Sequence, residues 1–379
     1  MSTTRSTVLT LPTELIDEIL RSNVLSNQDL ARCCLTSRQF LPAARRSLYD
    51  SIKIQGENAG VCYTGTSLVN YIGLDRASEK LYETLQASPT LGRHTTSIEF
   101  RRLDSVYTDI DMVPFDIRTS QTAFDLVLRL APNARQIAFN ATWLRDMDAG
   151  YDLHGVDKVV VHEVSSENAH DLWIPSQVRA LKLTIWQDIN DLVIEPRGIS
   201  ITALDINVYD DSYTGAVVVS APNLRVLRCP PRYIINNPTS LSDVTQLLLH
   251  IHHERHATYL LDIRHFSPLS KLRNLRFLSF EMFELSHYIE NAVKLTLASL
   301  RPDQRPIIHF PRLVPFDLLS KMLELGTLPA NRIQLPSIVS DTDPSDASQL
   351  QQLCAAQGVE LEWVPSGPID IFKIKLEEP

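Results

Sequence analysis

The densest group of side chains able to do chemistry is His250-Ile251-His252-His253-Glu254-Arg255-His256. A zinc metalloprotease needs H-E-x-x-H, which sets two histidines four apart on one helix face with a glutamate beside the first. Here His253-Glu254 is followed by His256 only three positions on, so the pattern fails. His252 and His256 do have i, i+4 spacing, but they follow a segment that reads as a strand, where a turn is expected. A solvated, titrating loop is the expectation. Asp341, Asp343 and Asp346 gather carboxylates as calcium would require. The EF-hand spacing and its closing Glu are missing, however, and a helix N-terminus accounts for acidic residues equally well. Cys33, Cys34, Cys62, Cys229 and Cys354 form no CxxC pair and have no sequence-adjacent His to activate a thiolate. No G-x-x-x-x-G-K-[ST], G-x-G-x-x-G or G-x-S-x-G occurs. The expectation is a protein with no catalytic residues, no metal and no cofactor: not an enzyme.

Composition narrows the class further. A formal charge of −9 disfavours nucleic acid as the main partner, because phosphate binding needs concentrated Lys and Arg. The basic pairs Arg45-Arg46 and Arg101-Arg102 are too short to change that. Hydrophobic residues at 44% and charged residues at 21% describe a folded chain. Only 12 Gly argues against glycine-rich nucleotide folds and tight-turned barrels. The odd cysteine count fits a reducing compartment. No signal segment opens the chain and no run nears the 18 or so apolar residues of a span, so a cytoplasmic or nuclear protein off the membrane is expected. At 379 residues it exceeds one ordinary core.

The elements that position these residues follow a rhythm. Short windows of alternating apolar residues begin at 97, 136, 158, 180, 203, 226, 246 and 277, stepping by 39, 22, 22, 23, 23, 20 and 31. Examples are Gln136-Ile137-Ala138-Phe139, Ala180-Leu181-Lys182-Leu183 and Gln246-Leu247-Leu248-Leu249, each preceded three positions before its first inward residue by another that can point inward. Two more begin at Arg332 and Glu360. One such strand cannot bury its inner face alone, so the strands must stack in parallel. The longer steps leave room for helices at 120–130, 289–300 and 316–325, and Ser345 caps a last helix ended by Gly358.

A period near 22 built on L-x-x-L-x-L resembles leucine-rich repeats, which implies an irregular solenoid with helices and loops on its convex side. The Asn or Cys of that family's turn is replaced by Leu103, Thr142, Val164, Trp186, Tyr209, Arg232, His252 and Phe283, so other groups must satisfy the turns. A two-layer α/β domain with a parallel sheet shares the rhythm, but the near-constant step favours the solenoid. The candidate substrate-binding residues are outward ones on the strands: Lys182, Val226, Arg228, Leu248, His250, Phe277 and Glu281. Outward apolar residues mark a contact surface. Against this, the tail 365–379, with Ile369, Ile371, Phe372 and Ile374, can fold back and cover them.

Residues 11–49 read as three short helices. Pro12 and Glu14 suit a first turn, and Leu15, Ile16, Ile19 and Leu20 give an apolar face. Ser26 with Asp29 makes a capping box for a second helix bearing Leu30, Cys33 and Cys34. Thr36 or Ser37 starts a third, with Phe40, Ala44, Leu48 and Tyr49. Leu11-Pro12, Glu14-Leu15-Ile16 and Ile19-Leu20, followed by Asp29-Leu30 and Arg38-Phe40, resemble an F-box. The resemblance implies a Skp-type adaptor as partner, and through it a cullin scaffold and ubiquitin ligase, bound through Leu11, Pro12, Leu15, Ile16, Ile19, Leu20 and Leu30. Leu11, Pro12, Ile16 and Ile19 are expected to face the adaptor. The organisation expected is a leader at 1–9, an F-box-like module at 10–50, a linker and capping helix at 51–95, with Gly56, Asn58, Gly60 and Gly65 in a loop, and the repeat domain at 96–379. The fold class is α/β. The function implied is a substrate receptor of the ligase. The alternative is a stand-alone repeat scaffold whose first helices only cap it.

Overall fold

The computed structural model describes residues 12–21, 25–64, 67–102, 113–115, 129–141, 155–164, 174–185, 191–194, 200–208, 216–219, 221–236, 241–251, 272–301, 303–338, 344–367 and 369–371. The chain forms two compact units, Met1–Val156 and Asp157–Pro379.

The first unit opens with three helices: α1 (Thr13–Arg21), α2 (Asn27–Thr36) and α3 (Leu41–Asp50). Ser26 caps α2 as expected. Its hydroxyl accepts from Asp29 N at 3.2 Å, while Asp29 Oδ2 accepts from Ser26 N at 3.3 Å. The third helix begins later than the expected Thr36 or Ser37. Thr36 belongs to the last turn of α2, its hydroxyl donating to the Arg32 and Cys33 carbonyls, and a turn closed by Phe40 N to Ser37 O precedes α3. Pro42, in the first turn of α3, needs no N–H partner there. Ile16, Leu20, Leu30, Ala43 and Ala44 make the core of the three helices, with Leu25, Cys33, Cys34, Phe40 and Leu48 packed on it. An Asp17–Arg46 ion pair at 2.7 Å ties α1 to α3.

The helices lead directly into β1 (Ser51–Thr64), which forms an antiparallel hairpin with β2 (Ser67–Leu74). The glycine cluster expected as a loop is therefore strand over Gly56, Asn58 and Gly60. The register shifts between Asn58 and Gly60, and a bulge is a place where a strand tolerates glycine. Gly65 lies outside the described residues. Next come α4 (Arg76–Ala87), α5 (Pro89–Gly92), β3 (Ser97–Arg102), β4 (Val113–Phe115) and β5 (Gln136–Asn140). Asp75 caps α4 through Ser78 N at 2.7 Å. A Cβ on Gly92 would stand 1.7 Å from the Leu130 carbonyl oxygen, so only glycine fits. β3 lies parallel between β1 and β5, and β4 pairs antiparallel with β2. Of the helix expected at 120–130, Arg129 and Leu130 are described, and both are helical.

The second unit is a parallel α/β arrangement. In chain order it has β6 (Lys158–Val164), β7 (Ala180–Ile185), β8 (Asp191–Ile194), β9 (Ala203–Val208), β10 (Ala216–Val219), β11 (Val226–Cys229) and the short helix α6 (Pro231–Asn236). There follow β12 (Gln246–Ile251), β13 (Phe277–Met282), α7 (His287–Ala298), β14 (Ile307–His309), α8 (Phe316–Glu324), β15 (Arg332–Pro336), α9 (Pro344–Gln357) and β16 (Glu360–Val364). All but β8 and β10, which pair with each other, run side by side in parallel. The windows read from the sequence are strands, and their first residues stand level: Ala180, Ala203, Val226, Gln246, Phe277, Ile307, Arg332 and Glu360. β14 was not anticipated. Ser345 lies inside α9, which starts at Pro344, and Gly358, at φ +67°, ends it as expected.

The missing Asn ladder has a counterpart ahead of each strand. Arg179 N donates to Asp157 O, Thr202 to Arg179, Arg225 to Thr202, Thr245 to Arg225 and Arg276 to Thr245, each at 2.8 Å. This satisfies backbone that the stacked strands withdraw from water. Tight turns seat the preceding apolar residue, for example Leu224 N on Ala221 O and Val244 N on Leu241 O. Val178, Leu224, Val244 and Leu275 are buried there, facing the same core as Leu181, Leu227, Leu247 and Leu278. Phe280 and Phe310 stack at 5.5 Å between ring centres within it.

Candidate functional site

Parallel register determines which outward side chains meet. Lys182 stands opposite Asp205, Asp205 opposite Arg228, and Arg228 opposite Leu248. His250 stands opposite Glu281, and Ser279 opposite His309. Since the third and fifth residues of a strand share a face, these groups crowd onto one surface of β7 to β14.

There they form a buried ion-pair network. Arg228 donates to Asp205 Oδ2 at 3.0 Å and, through its other terminal nitrogen, to Glu281 Oε2 at 2.6 Å. Lys182 Nζ lies 3.5 Å from Asp205 Oδ2, and His250 Nδ1 lies 2.9 Å from Glu281 Oε2. The Asp205 and Glu281 side chains are only 2% and 3% exposed, whereas Lys182 keeps 32%. Burial alone would raise the Glu281 carboxyl, but the contact and charge of His250 and the Arg228 guanidinium outweigh it and hold the group down at about 2. Burial would likewise lower Arg228, yet Asp205 and Glu281 raise it. One oxygen of each carboxylate, Asp205 Oδ1 and Glu281 Oε1, is buried without a hydrogen-bond partner among the described residues.

Beside the charges lies an apolar strip. Ala180, Ala203 and Val226, the level first residues of three adjacent strands, cluster with Leu248 and with Ile371 of the tail, and Ile369 packs against them. The tail therefore does fold back. Ile371 is 4% exposed, and burying one such side chain is worth about 1.5–3 kcal/mol. Phe372 and Ile374 lie outside the described residues.

The candidate residues thus divide. Lys182, Arg228, His250 and Glu281 are brought into one network, while Val226 and Leu248 form the floor beneath the tail. Phe277 stands apart, its ring 5.6 Å from that of His309. The expected titrating loop is corrected at its start: His250 and Ile251 continue β12, and His250 is 3% exposed. His252, His253, Glu254 and His256 lie outside the described residues, as do Asp341 and Asp343. Among the described residues no group of His, Cys, Asp or Glu is placed to hold a metal. Burial pushes the Cys354 thiol up to about 11 and Cys229 well above its usual range, which opposes a nucleophilic role for either.

One feature escaped the sequence. His309 meets Ser279 at 3.0 Å with its imidazole depressed to about 4, by burial working against the Glu281 charge. Its signal was present: Ile307-Ile308-His309-Phe310 repeats the alternation of the other windows. Asp205, an outward position by sequence, bridges Lys182 and Arg228, with His250 Nε2 4.0 Å away.

On the first three helices the candidate contact residues also divide. Ile16, Leu20 and Leu30 are core, at 1%, 5% and 5% exposure. Ile16 therefore does not face outward as expected, because the packing of α2 and α3 takes that side of α1. Pro12 is exposed, Leu15 and Ile19 remain 45% and 52% exposed, Leu35 reaches 88%, and Leu11 lies outside the described residues. No protein-family model matches the chain, and no curated protein matches it in sequence. No helix among the described residues is long and apolar enough to cross a membrane.

Proposed function

We propose that this chain is a substrate-recognition subunit of a cullin-type ubiquitin ligase, with an F-box-like module in residues 12–50 and leucine-rich-repeat-like strands after it. The observation that carries this reading is the exposed apolar surface of the first helices. Their core accommodates Ile16, Leu20 and Leu30 while Leu15, Ile19 and Leu35 stay exposed, and apolar side chains left outside the core are where a partner can bind. A Skp-type adaptor is the partner that the F-box resemblance of the same residues supplies. The chain itself catalyses nothing: it holds a protein substrate near the conjugating enzyme and raises the effective concentration of a target lysine.

A second reading, the stand-alone scaffold, has its own support. The helices join the sheet without a linker, Thr95 Oγ1 donating to Tyr49 O and Thr96 N to Asp50 O, both at 2.8 Å. Such continuity suits a cap.

Co-purification with a Skp-type adaptor separates the two. The ligase reading expects a stable wild-type complex and at least tenfold weaker capture of a Leu15→Glu/Ile19→Glu chain with an unchanged circular dichroism spectrum. Ile16→Glu serves as the unfolding control, since that side chain is core. A folded wild-type chain indifferent to the adaptor leaves the scaffold.

A further inference from the structure

The inner side chains of β16 are not closed in like those of the strand before it. Ile333 and Leu335 of β15 are at 0% exposure, whereas Leu361 and Trp363, which stand opposite them, stay half-exposed. Among the described residues β16 pairs on one side only, with β15. Its outer edge presents backbone donors and acceptors in the form that a further strand takes up. Past Val364 the chain turns back from that edge: Gly367 N donates to Pro311 O at 3.2 Å, and Ile371 reaches the floor formed with Ala180, Ala203, Val226 and Leu248.

The edge also carries a sign. Glu360 and Glu362 alternate with Leu361 and Trp363, and the guanidinium of Arg332 serves both carboxylates, at 2.8 and 3.3 Å. Like charges along an edge repel a second copy of the same edge. They attract a strand in which cations alternate with apolar residues. Phe372-Lys373-Ile374-Lys375-Leu376 is such a sequence. One antiparallel register sets Lys375 opposite Glu360 and Lys373 opposite Glu362, with Ile374 beside Leu361 and Phe372 beside Trp363. One parallel register sets Lys373 and Lys375 opposite the same two carboxylates, with Ile374 and Leu376 on the apolar side.

That sequence cannot serve its own β16 while Ile371 is seated. The strand of the floor nearest to β16 is β12, four strands away, so a strand added outside β16 stands roughly 24 Å from it. Consecutive Cα atoms are only about 3.8 Å apart, and Phe372 follows Ile371 directly. A second copy has no such restriction.

We propose that β16 is a docking edge for a second copy of this chain, which adds residues 372–376 to it as a strand, and that two copies exchange these segments. Reciprocal exchange closes the assembly at two. Backbone pairing supplies the contact, Leu361 and Trp363 gain cover, and the Lys–Glu pairs fix the register.

Sedimentation of the full chain tests this with two variants, Lys373→Glu/Lys375→Glu and Glu360→Lys/Glu362→Lys. Wild type is expected to dimerise, and each variant alone to dimerise at least tenfold more weakly, because like charges then meet at the edge. An equimolar mixture of the two variants should recover dimers, since both exchanged contacts are again of opposite sign. Amide exchange in residues 360–364 should slow as wild-type concentration rises. A wild type that stays monomeric at about 100 μM overturns the proposal, as does a tail variant that sediments like wild type. A dimer that leaves the exchange of 360–364 unchanged uses another surface and overturns it as well. Should the Glu360→Lys/Glu362→Lys chain fail to fold by circular dichroism, the tail variant and the exchange data decide alone. Residues 12–50 take no part, so failure here leaves the adaptor result standing, and the reverse.

Discussion

Arg228 decides whether the outward face of the second unit can exist. Two carboxylates with 2% and 3% exposure share its guanidinium, and neither is solvated well enough to stand alone. Arg228→Ala is expected to cost about 3–5 kcal/mol, because breaking a buried pair leaves uncompensated charge rather than merely losing one contact. Urea unfolding measures it, and a loss below about 1 kcal/mol would mean that water reaches the carboxylates. Adding Glu281→Gln to Arg228→Ala should cost less than the two singles together, the signature of coupled groups. The residues were visible beforehand as outward positions, but their pairing was not. Arg228 and Glu281 are 53 positions apart, and only the register of β11, β12 and β13 brings them to 2.6 Å.

Among the elements, α2 shows what local sequence can determine. Ser26 and Asp29 satisfy each other's backbone donors across three residues, and hydrogen bonds from Ser26 lower the Asp29 carboxyl. Ser26→Ala should destabilise α2 by about 1 kcal/mol, read as roughly fivefold faster amide exchange in residues 27–36 with little change in the sheet. Equal exchange in both chains would mean that packing against α3 alone holds the helix. Where a boundary depended on competition between neighbours, the sequence misled. Thr36 has the side chain of a cap, yet it donates backward into α2. The glycines of β1 read as a loop, yet pairing with β2 outweighs their flexibility and leaves only a bulge.

For the molecule as a whole, acid should weaken the fold in two stages. His309 has a folded value of about 4 against an ordinary 6.5, so it binds protons in the unfolded chain first. Its contribution is complete above pH 6.5 and is lost as pH falls toward 4. Glu281, at about 2 against 4.5, contributes fully above pH 4.5 and loses that contribution as pH falls toward 2. Both signs agree: stability declines with falling pH. His309→Asn, which keeps a polar partner for Ser279, should flatten the urea midpoint between pH 6.5 and 4 and leave the lower stage intact. An unchanged profile would assign the upper stage to other histidines.

The sequence by itself determined the strands of the repeating windows, their parallel stacking and the level at which they stand, because alternation and the preceding apolar residue are short-range and repeat at each step; it did not reveal β2, β4, β8, β10 or β14. It also determined which residues face away from the core. It did not determine whether those residues meet water. Val226 and Leu248 are covered by Ile371, more than 120 residues further along, and no local pattern encodes that closure. The same limit applies to α1. Leu15, Ile19, Ile16 and Leu20 span an arc of roughly 140° at 100° per residue, a single apolar face by sequence. Which half becomes core was decided by where α2 and α3 pack, and they took Ile16 and Leu20.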